Sequence, residues 1–135
     1  SGRQNQEEQI SIPEIKSPND RLMERVMRVI NENLSNPALT VEMISTEVGI
    51  SRVHLHRKLK ELTNQTTQQL IRNLRLKQAA TLLAEKRHSI TEVATLTGFT
   101  HPTYFATAFR EMFGVSPSEY MEQHIGQDKT KDGIL

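Results

Sequence analysis

The segment 51–62 holds the side chains of this 135-residue chain whose types and spacing point most clearly to chemistry. At 3.6 residues per turn, one face of a helix over this segment consists of Leu55, Leu59 and Leu62. The opposite face consists of Val53, Arg57 and Lys60, flanked by His56. Guanidinium and ammonium groups bind phosphate, and guanidinium can bond guanine O6 and N7 together. The segment therefore predicts an anion-binding helix, although a surface helix with solvated Arg and Lys would show the same pattern.

The charge distribution favours the anion-binding interpretation. Residues 51–88 contain nine Lys or Arg and two acids, whereas the rest of the chain contains eight basic and fourteen acidic residues. The net charge of +1 conceals this segregation. A positive field confined to the middle of the chain predicts a polyanionic partner at that place.

A tight turn precedes the basic helix. Gly49 can end one helix in a left-handed conformation, and Ser51 can cap the next helix. Upstream, Thr40 is an N-cap candidate for a short helix that ends at Val48. A helix, a glycine turn and a second helix with an exposed basic face form the pattern of a helix-turn-helix DNA reader.

The pattern recurs after the longest uninterrupted helical stretch, residues 67–85. At a constant offset of 50, the residues Leu55, Leu59, Asn64 and Leu70 have the counterparts Phe105, Phe109, Gly114 and Tyr120. Asn64 is predicted to take a left-handed conformation at the end of the basic helix. The sequence therefore predicts an all-α protein of about seven helices, with two helix-turn-helix subdomains joined by a long linker helix.

The same signals set the expected domain boundaries. Residues 1–18 are polar, and Pro13 and Pro18 are predicted to break any helix there, so we expect a linker from something upstream in a longer protein. The first helix is expected to start at Asn19-Asp20. The subdomains are then 19–65 and 89–125, with a linker helix at 66–88 and a disordered tail at 126–135.

Other classes of function find little support. The chain has no cysteine, which excludes disulfides and thiolate metal sites, and no apolar run approaches the roughly 20 residues that span a bilayer. His54 and His56 are two residues apart and so lie about 200° apart around a helix, whereas two metal ligands on one helix prefer a spacing of three or four residues. We expect no enzyme activity, metal or cofactor, no membrane contact by this segment, and a cytoplasmic location.

An ordered set of motifs runs through the chain. It comprises Val48-Gly49-Ile50-Ser51-Arg52, Leu55-x-Arg57-Lys58-Leu59-Lys60, Ile71-x3-Arg75-Leu76-x2-Ala79-x2-Leu82-Leu83, Ile90-x2-Val93-Ala94, Gly98-Phe99, Tyr104-Phe105-x3-Phe109-Arg110, Phe113-Gly114-x-Ser116-Pro117-Ser118 and Tyr120. Over about residues 20–124 this combination resembles the DNA-binding domain of AraC-type transcription regulators. The run Arg57-Lys58-Leu59-Lys60 resembles the output domains of bacterial hybrid two-component regulators. Asn64, Thr67 and Met121 depart from the family pattern, and the last departure removes one expected phosphate contact.

Side chains near the N-terminus of a reading helix reach base edges in a major groove. The candidates in the first subdomain are Arg52, Val53, His56 and Arg57. Arg57 is the strongest because of its bidentate match to guanine, and a surface salt bridge with a nearby acid is its alternative role. Val53 suits a thymine methyl group, and His56 suits a purine acceptor. The corresponding candidates in the second subdomain are His101, Pro102, Thr103, Ala106 and Thr107.

Phosphate contacts are expected at helix N-termini and from basic side chains. The candidates are Thr40, Ser51, Lys58, Lys60, Arg75, Ser89 and Arg110. Residues 89–125 contain one basic and four acidic residues, so we expect the first subdomain to supply most of the affinity. If both subdomains bind, the linker helix must hold the reading helices about one duplex turn apart, roughly 34 Å.

The predicted function is sequence-specific binding of double-stranded DNA by a transcription regulator output domain. The resemblance implies transcriptional activation by contact with RNA polymerase, and sensing by upstream receiver or sensor domains. The alternative is a helical protein-interaction module whose basic face binds an acidic partner. That module would bind DNA weakly and without sequence preference.

Overall fold

The computed structural model describes residues 15–124, and these residues form seven α-helices. In chain order they are α1 (Pro18–Glu32), α2 (Val41–Val48), α3 (Arg52–Thr63), α4 (Thr67–Glu85), α5 (Ile90–Leu96), α6 (Pro102–Phe113) and α7 (Pro117–Gln123). The predicted all-α fold, with two helix-turn-helix units joined by a long helix, is confirmed. The predicted tail at 126–135 and all but the end of the predicted linker lie outside the described residues.

The helices enclose two hydrophobic clusters, and α4 contributes to both. The first cluster is aliphatic, and it includes the fully buried Ile30, Ile44 and Leu55 from α1, α2 and α3. The second cluster is centred on Phe105 and Phe109 of α6. Each helix-turn-helix unit therefore has its own core, and the linker helix belongs to both cores.

Side-chain caps begin six of the seven helices, since each cap hydroxyl accepts a hydrogen bond from a backbone N–H three residues on. The capping residues are Ser17, Thr40, Ser51, Thr66, Ser89 and Ser116. Left-handed residues end α2 and α3, namely Gly49 with φ +84° and Asn64 with φ +58°. The predicted left-handed conformation of Asn64 is confirmed.

Two details of the sequence prediction are wrong. Pro18 does not break a helix but opens α1, because the first helical position needs no N–H and Ser17 supplies the cap. Leu62 does not pack with Leu55 and Leu59, which are fully buried, but is 36% exposed. Leu62 is not a member of the first hydrophobic cluster, to which Leu55 and Leu59 belong.

Within residues 15–124, no helix combines the length and the apolar character that crossing a membrane requires. The same residues contain no group of three or more His, Asp or Glu side chains placed to hold a metal ion.

Candidate nucleic-acid interface

The first reading helix, α3, is anchored on one side and open on the other. Leu55 and Leu59 are fully buried, whereas Val53 is 71% exposed and Arg57 and Lys60 are also exposed. The Ser51 hydroxyl caps the helix by accepting from the His54 N–H at 3.1 Å. The core contacts fix the rotation of the helix, so its basic face points to solvent.

Arg52 does not stand free at the start of α3. Its Nη1 lies 2.7 Å from Glu42 Oε1 on α2, and both side chains are more than half exposed. The Glu42 backbone N–H, followed by the Arg52 guanidinium, holds the pKa of the Glu42 carboxyl below its ordinary value of 4.5. A carboxylate therefore sits beside one of the predicted base-reading arginines.

His56 is oriented by the linker helix. Its Nδ1 lies 3.0 Å from the hydroxyl of Thr67, which is fully buried at the start of α4. This bond fixes the imidazole plane, since the buried hydroxyl belongs to the core. The other ring nitrogen, Nε2, is then the one available to a ligand.

Arg57 has no ion-pair or hydrogen-bond partner among residues 15–124. The alternative role predicted for Arg57, a surface salt bridge with a nearby acid, is therefore not seen in the described part of the chain. Its guanidinium is exposed and keeps its full donor fork for an external ligand.

A depression of about 510 Å³ lies in front of the N-terminal turn of α3. Its walls come from α2, α3 and α4, and they are lined by Leu39, Thr40, Val41, Glu42, Arg52, Val53, His56, Gln68 and Ile71. Three of the four base-reading candidates of the first unit meet here, and Arg57 lies one turn beyond Val53 on the same helix.

Three predicted phosphate ligands are placed differently from the others. Lys58 is half-buried, and its Nζ donates to Asn19 Oδ1 of α1 at 3.3 Å. Arg75 is half-buried, and its Nη2 donates to the Asn36 carbonyl at 2.7 Å. Both cations therefore already bind groups of the protein.

Ser89 is the third. It caps α5, and its backbone N–H donates to Glu92 Oε1 at 2.8 Å. The Ser89 backbone and side-chain hydrogen bonds lower the pKa of the Glu92 carboxyl. A carboxylate thus occupies this helix N-terminus, whereas the predicted contacts Lys60 and Arg110 are exposed.

The second reading helix, α6, presents a neutral face. Pro102 and Thr103 are exposed, Ala106 is half-buried, and the Thr107 hydroxyl donates to the Thr103 carbonyl at 3.0 Å. His101 occupies the N-cap position without a side-chain capping bond. The predicted positions therefore reach solvent on this unit too, but they carry no fixed charge.

A second depression, of about 330 Å³, lies between α4, the loop before α2 and the turn before α6. Two residues that line it, Gln68 and Arg72 of α4, were not among the site residues predicted from the sequence. Their spacing of four, with Arg75 three residues later, places all three on one helix face and was a usable signal. The residues at the turn before α6, including His101, form the opposite wall.

The fold and the open basic helix define a double helix-turn-helix protein. A family model described as a helix-turn-helix domain matches residues 44–123. The chain belongs to this family, that of the AraC-type DNA-binding domains. The family comprises DNA-binding regulator domains rather than a class of enzymes.

Relatives in two bacteria share this region. A "Histidine kinase P4" of Formosa agariphila is 33% identical over 113 residues, which are 84% of this chain and 8% of that protein. The "HTH-type transcriptional activator RhaS" of Salmonella schwarzengrund is 33% identical over 109 residues, covering 81% of this chain and 39% of that protein. The chain thus spans well under half the length of either relative.

Solved structures show the same arrangement of helices. A transcriptional regulator of Chromobacterium violaceum, described as containing an AraC-type DNA-binding domain, matches with a TM-score of 0.74 at 25% identity. That match covers 78% of this chain and 93% of the other. The DNA-binding domain of AdpA, solved in complex with a target DNA, matches with a TM-score of 0.70 at 29% identity. It covers 78% of this chain and 94% of that chain.

Proposed function

We propose that this chain binds double-stranded DNA sequence-specifically as the output domain of a transcription regulator, with α3 and α6 in adjacent major grooves. The observation that carries the proposal is Arg57, an exposed guanidinium without a partner in the described range, on a helix whose other face is fixed by the core. A rigid helix with a free donor fork is what bidentate readout of guanine requires.

The other side chains of α3 divide the reading between them. Val53 offers an exposed apolar surface for a thymine methyl group, and His56 Nε2 faces a purine edge while Thr67 holds Nδ1. Arg52 reads a base or a phosphate after leaving Glu42. In the second unit, residue 101 at the N-cap of α6 and residues 102, 103, 106 and 107 on α6 carry no fixed charge, so they add less affinity than α3.

Phosphates are bound at the edges of this surface. The N-terminus of α3, capped by Ser51, offers backbone N–H groups to a phosphate. The N-terminus of α2, capped by Thr40, offers them once the Glu42 carboxylate leaves its own backbone N–H. Lys60 and Arg110 add exposed charges. Lys58, Arg75 and Ser89 are left out of the proposal, because protein groups already engage them.

The rest of the regulator is proposed from its relatives. One relative is named a histidine kinase and another a transcriptional activator. We therefore propose that a receiver or sensor region lies upstream of this chain. We also propose that the regulator activates transcription by contact with RNA polymerase, and that the whole protein is cytoplasmic.

The experiment is selection of bound sequences from a pool of random duplex DNA, followed by footprinting of the selected site. We expect an enriched motif and protection of two adjacent major-groove segments. A control selection with Arg57→Ala should lose the preference at one base position only. Enrichment of no motif, with equal binding to every duplex, would instead identify a protein-interaction module with a basic face.

A further inference from the structure

The second depression, a cleft between α4 and the turn before α6, differs in charge from the rest of the second unit. Its walls include Arg72 and Arg75 of α4 and His101 before α6, and no acidic residue of the described range lines it. The cleft shares Leu39, Gln68 and Ile71 with the depression in front of α3. A continuous groove therefore leads from the first reading helix to the start of the second.

Arg72 is a cation in this groove that has no hydrogen-bond or ion-pair partner among residues 15–124. Its Nε is buried and makes no hydrogen bond. Arg75 has an unbonded Nε as well, but its Nη2 is held by the Asn36 carbonyl. A half-buried guanidinium that lacks a partner is costly unless a ligand completes it.

We propose that Arg72 binds the DNA backbone between the two major-groove segments, where the duplex crosses α4. Gln68 lines both depressions and provides an amide donor on the same helix face, and His101 faces it from the turn before α6. A phosphodiester oxygen accepts from a guanidinium without regard to sequence. The contact gives the linker helix a direct part in binding, and it rests on the proposed function.

Charge and position both favour this occupant. Two reading helices in successive grooves require the intervening backbone to pass the face of α4 that joins them, and the groove on that face is basic. A phosphate there would meet no carboxylate from the described lining, in contrast to the N-terminus of α5, where Glu92 stands.

The test places single neutral methylphosphonate linkages in the selected duplex, one phosphate at a time. For the unaltered chain, a neutral linkage between the two major-groove segments should weaken binding roughly tenfold. Arg72→Gln should weaken binding of the fully charged duplex by a similar factor and make it insensitive to that linkage. It should also reduce the slope of log affinity against log salt by about 1.

Lys77→Gln is the matched control, since it removes one charge from the exposed side of the same helix. It should keep the sensitivity to the neutral linkage. Arg72→Lys retains the charge and should keep part of the sensitivity to the neutral linkage. The measurement on the unaltered chain tests the contact without any substitution. If no linkage between the segments matters while sequence preference persists, the inference is wrong and the proposed function stands. If the unaltered chain shows no sequence preference, both are wrong.

Discussion

Gly98 and Arg75 are in direct contact, and the contact leaves no room for a side chain. A Cβ on Gly98 would lie 2.9 Å from Arg75 Cζ, and it would also overlap the carbonyl oxygen of Leu34. Since Arg75 in turn donates to the Asn36 carbonyl, the turn of the second unit here meets the linker helix and the loop between α1 and α2 of the first unit. This junction therefore joins the two units through the linker helix.

Gly98→Ala should therefore destabilise the protein beyond the cost of its backbone conformation. Gly49→Ala is the control, because Gly49 has φ +84° against +85° for Gly98, yet a Cβ there would meet no atom of the described residues within 4 Å. The left-handed conformation costs each variant about 1–2 kcal/mol. Overpacking should cost Gly98→Ala roughly 1–3 kcal/mol more. If the two variants had equal free energies of unfolding, measured with denaturant, the contact of Gly98 with Arg75 would not be tight enough to exclude a side chain.

Arg57→Ala should weaken binding to the selected site by about 1–3 kcal/mol and relax the preference at one base pair. The reason is that Arg57 is exposed and lacks a partner within residues 15–124, so its removal affects the DNA contact and little else. Lys60→Ala should instead weaken binding to all sequences alike and flatten the salt dependence. Titration of matched and mismatched duplexes separates the two. An unchanged affinity of Arg57→Ala for every site would contradict the assignment of α3.

Glu42→Gln should strengthen binding to all duplexes severalfold. The substitution removes a carboxylate 2.7 Å from Arg52 Nη1 and leaves the guanidinium free for DNA. Glu47→Gln is the control, since Glu47 is exposed on the same helix and forms no ion pair with a residue of the described range. Affinities at two salt concentrations measure the effect. Equal gains for both variants would show that only the general charge matters.

The second unit should contribute less to affinity than the first. Replacing both Thr103 and Thr107 by alanine should cost less than Arg57→Ala alone, because these two positions carry no charge and the Thr107 hydroxyl already has the Thr103 carbonyl as a partner. The three proteins are compared on the selected duplex at one salt concentration. A larger loss for the double variant would reverse the ranking of the two units.

Acid should destabilise the fold partly through the cap of α5. The pKa of Glu92 is lowered by hydrogen bonds from the backbone and hydroxyl of Ser89, so the bonded carboxylate stabilises the folded state above its ordinary pKa of 4.5. That contribution is lost as pH falls below 4.5 and through the lowered value. Glu92→Gln keeps an acceptor for the Ser89 N–H, so its thermal midpoint should fall less as the pH is lowered from neutral to well below 4.5. If the thermal midpoints of Glu92→Gln and the unaltered chain fell equally with pH, the Glu92 carboxylate would not contribute to the acid sensitivity of the fold.

Sequence alone determined the helices and their faces, because these depend on residues close together in the chain. A serine or threonine before an apolar period of 3.6 is enough to place the start of α2 or α3, and the offset of 50 is enough to reveal the repeat. The exposed face of α3 followed in the same way, since burying Leu55 and Leu59 turns Arg57 outward.

Tertiary structure alone decided which cations remain available. Lys58 and Arg75 match the basic pattern as well as Arg57 does, yet each bonds to a residue 39 positions away, Asn19 and Asn36 respectively. Arg72 gained its significance in the same way, from walls contributed by both units. Helix periodicity specifies the direction of a side chain, but whether that direction leads to water or to another polar group depends on how distant segments pack.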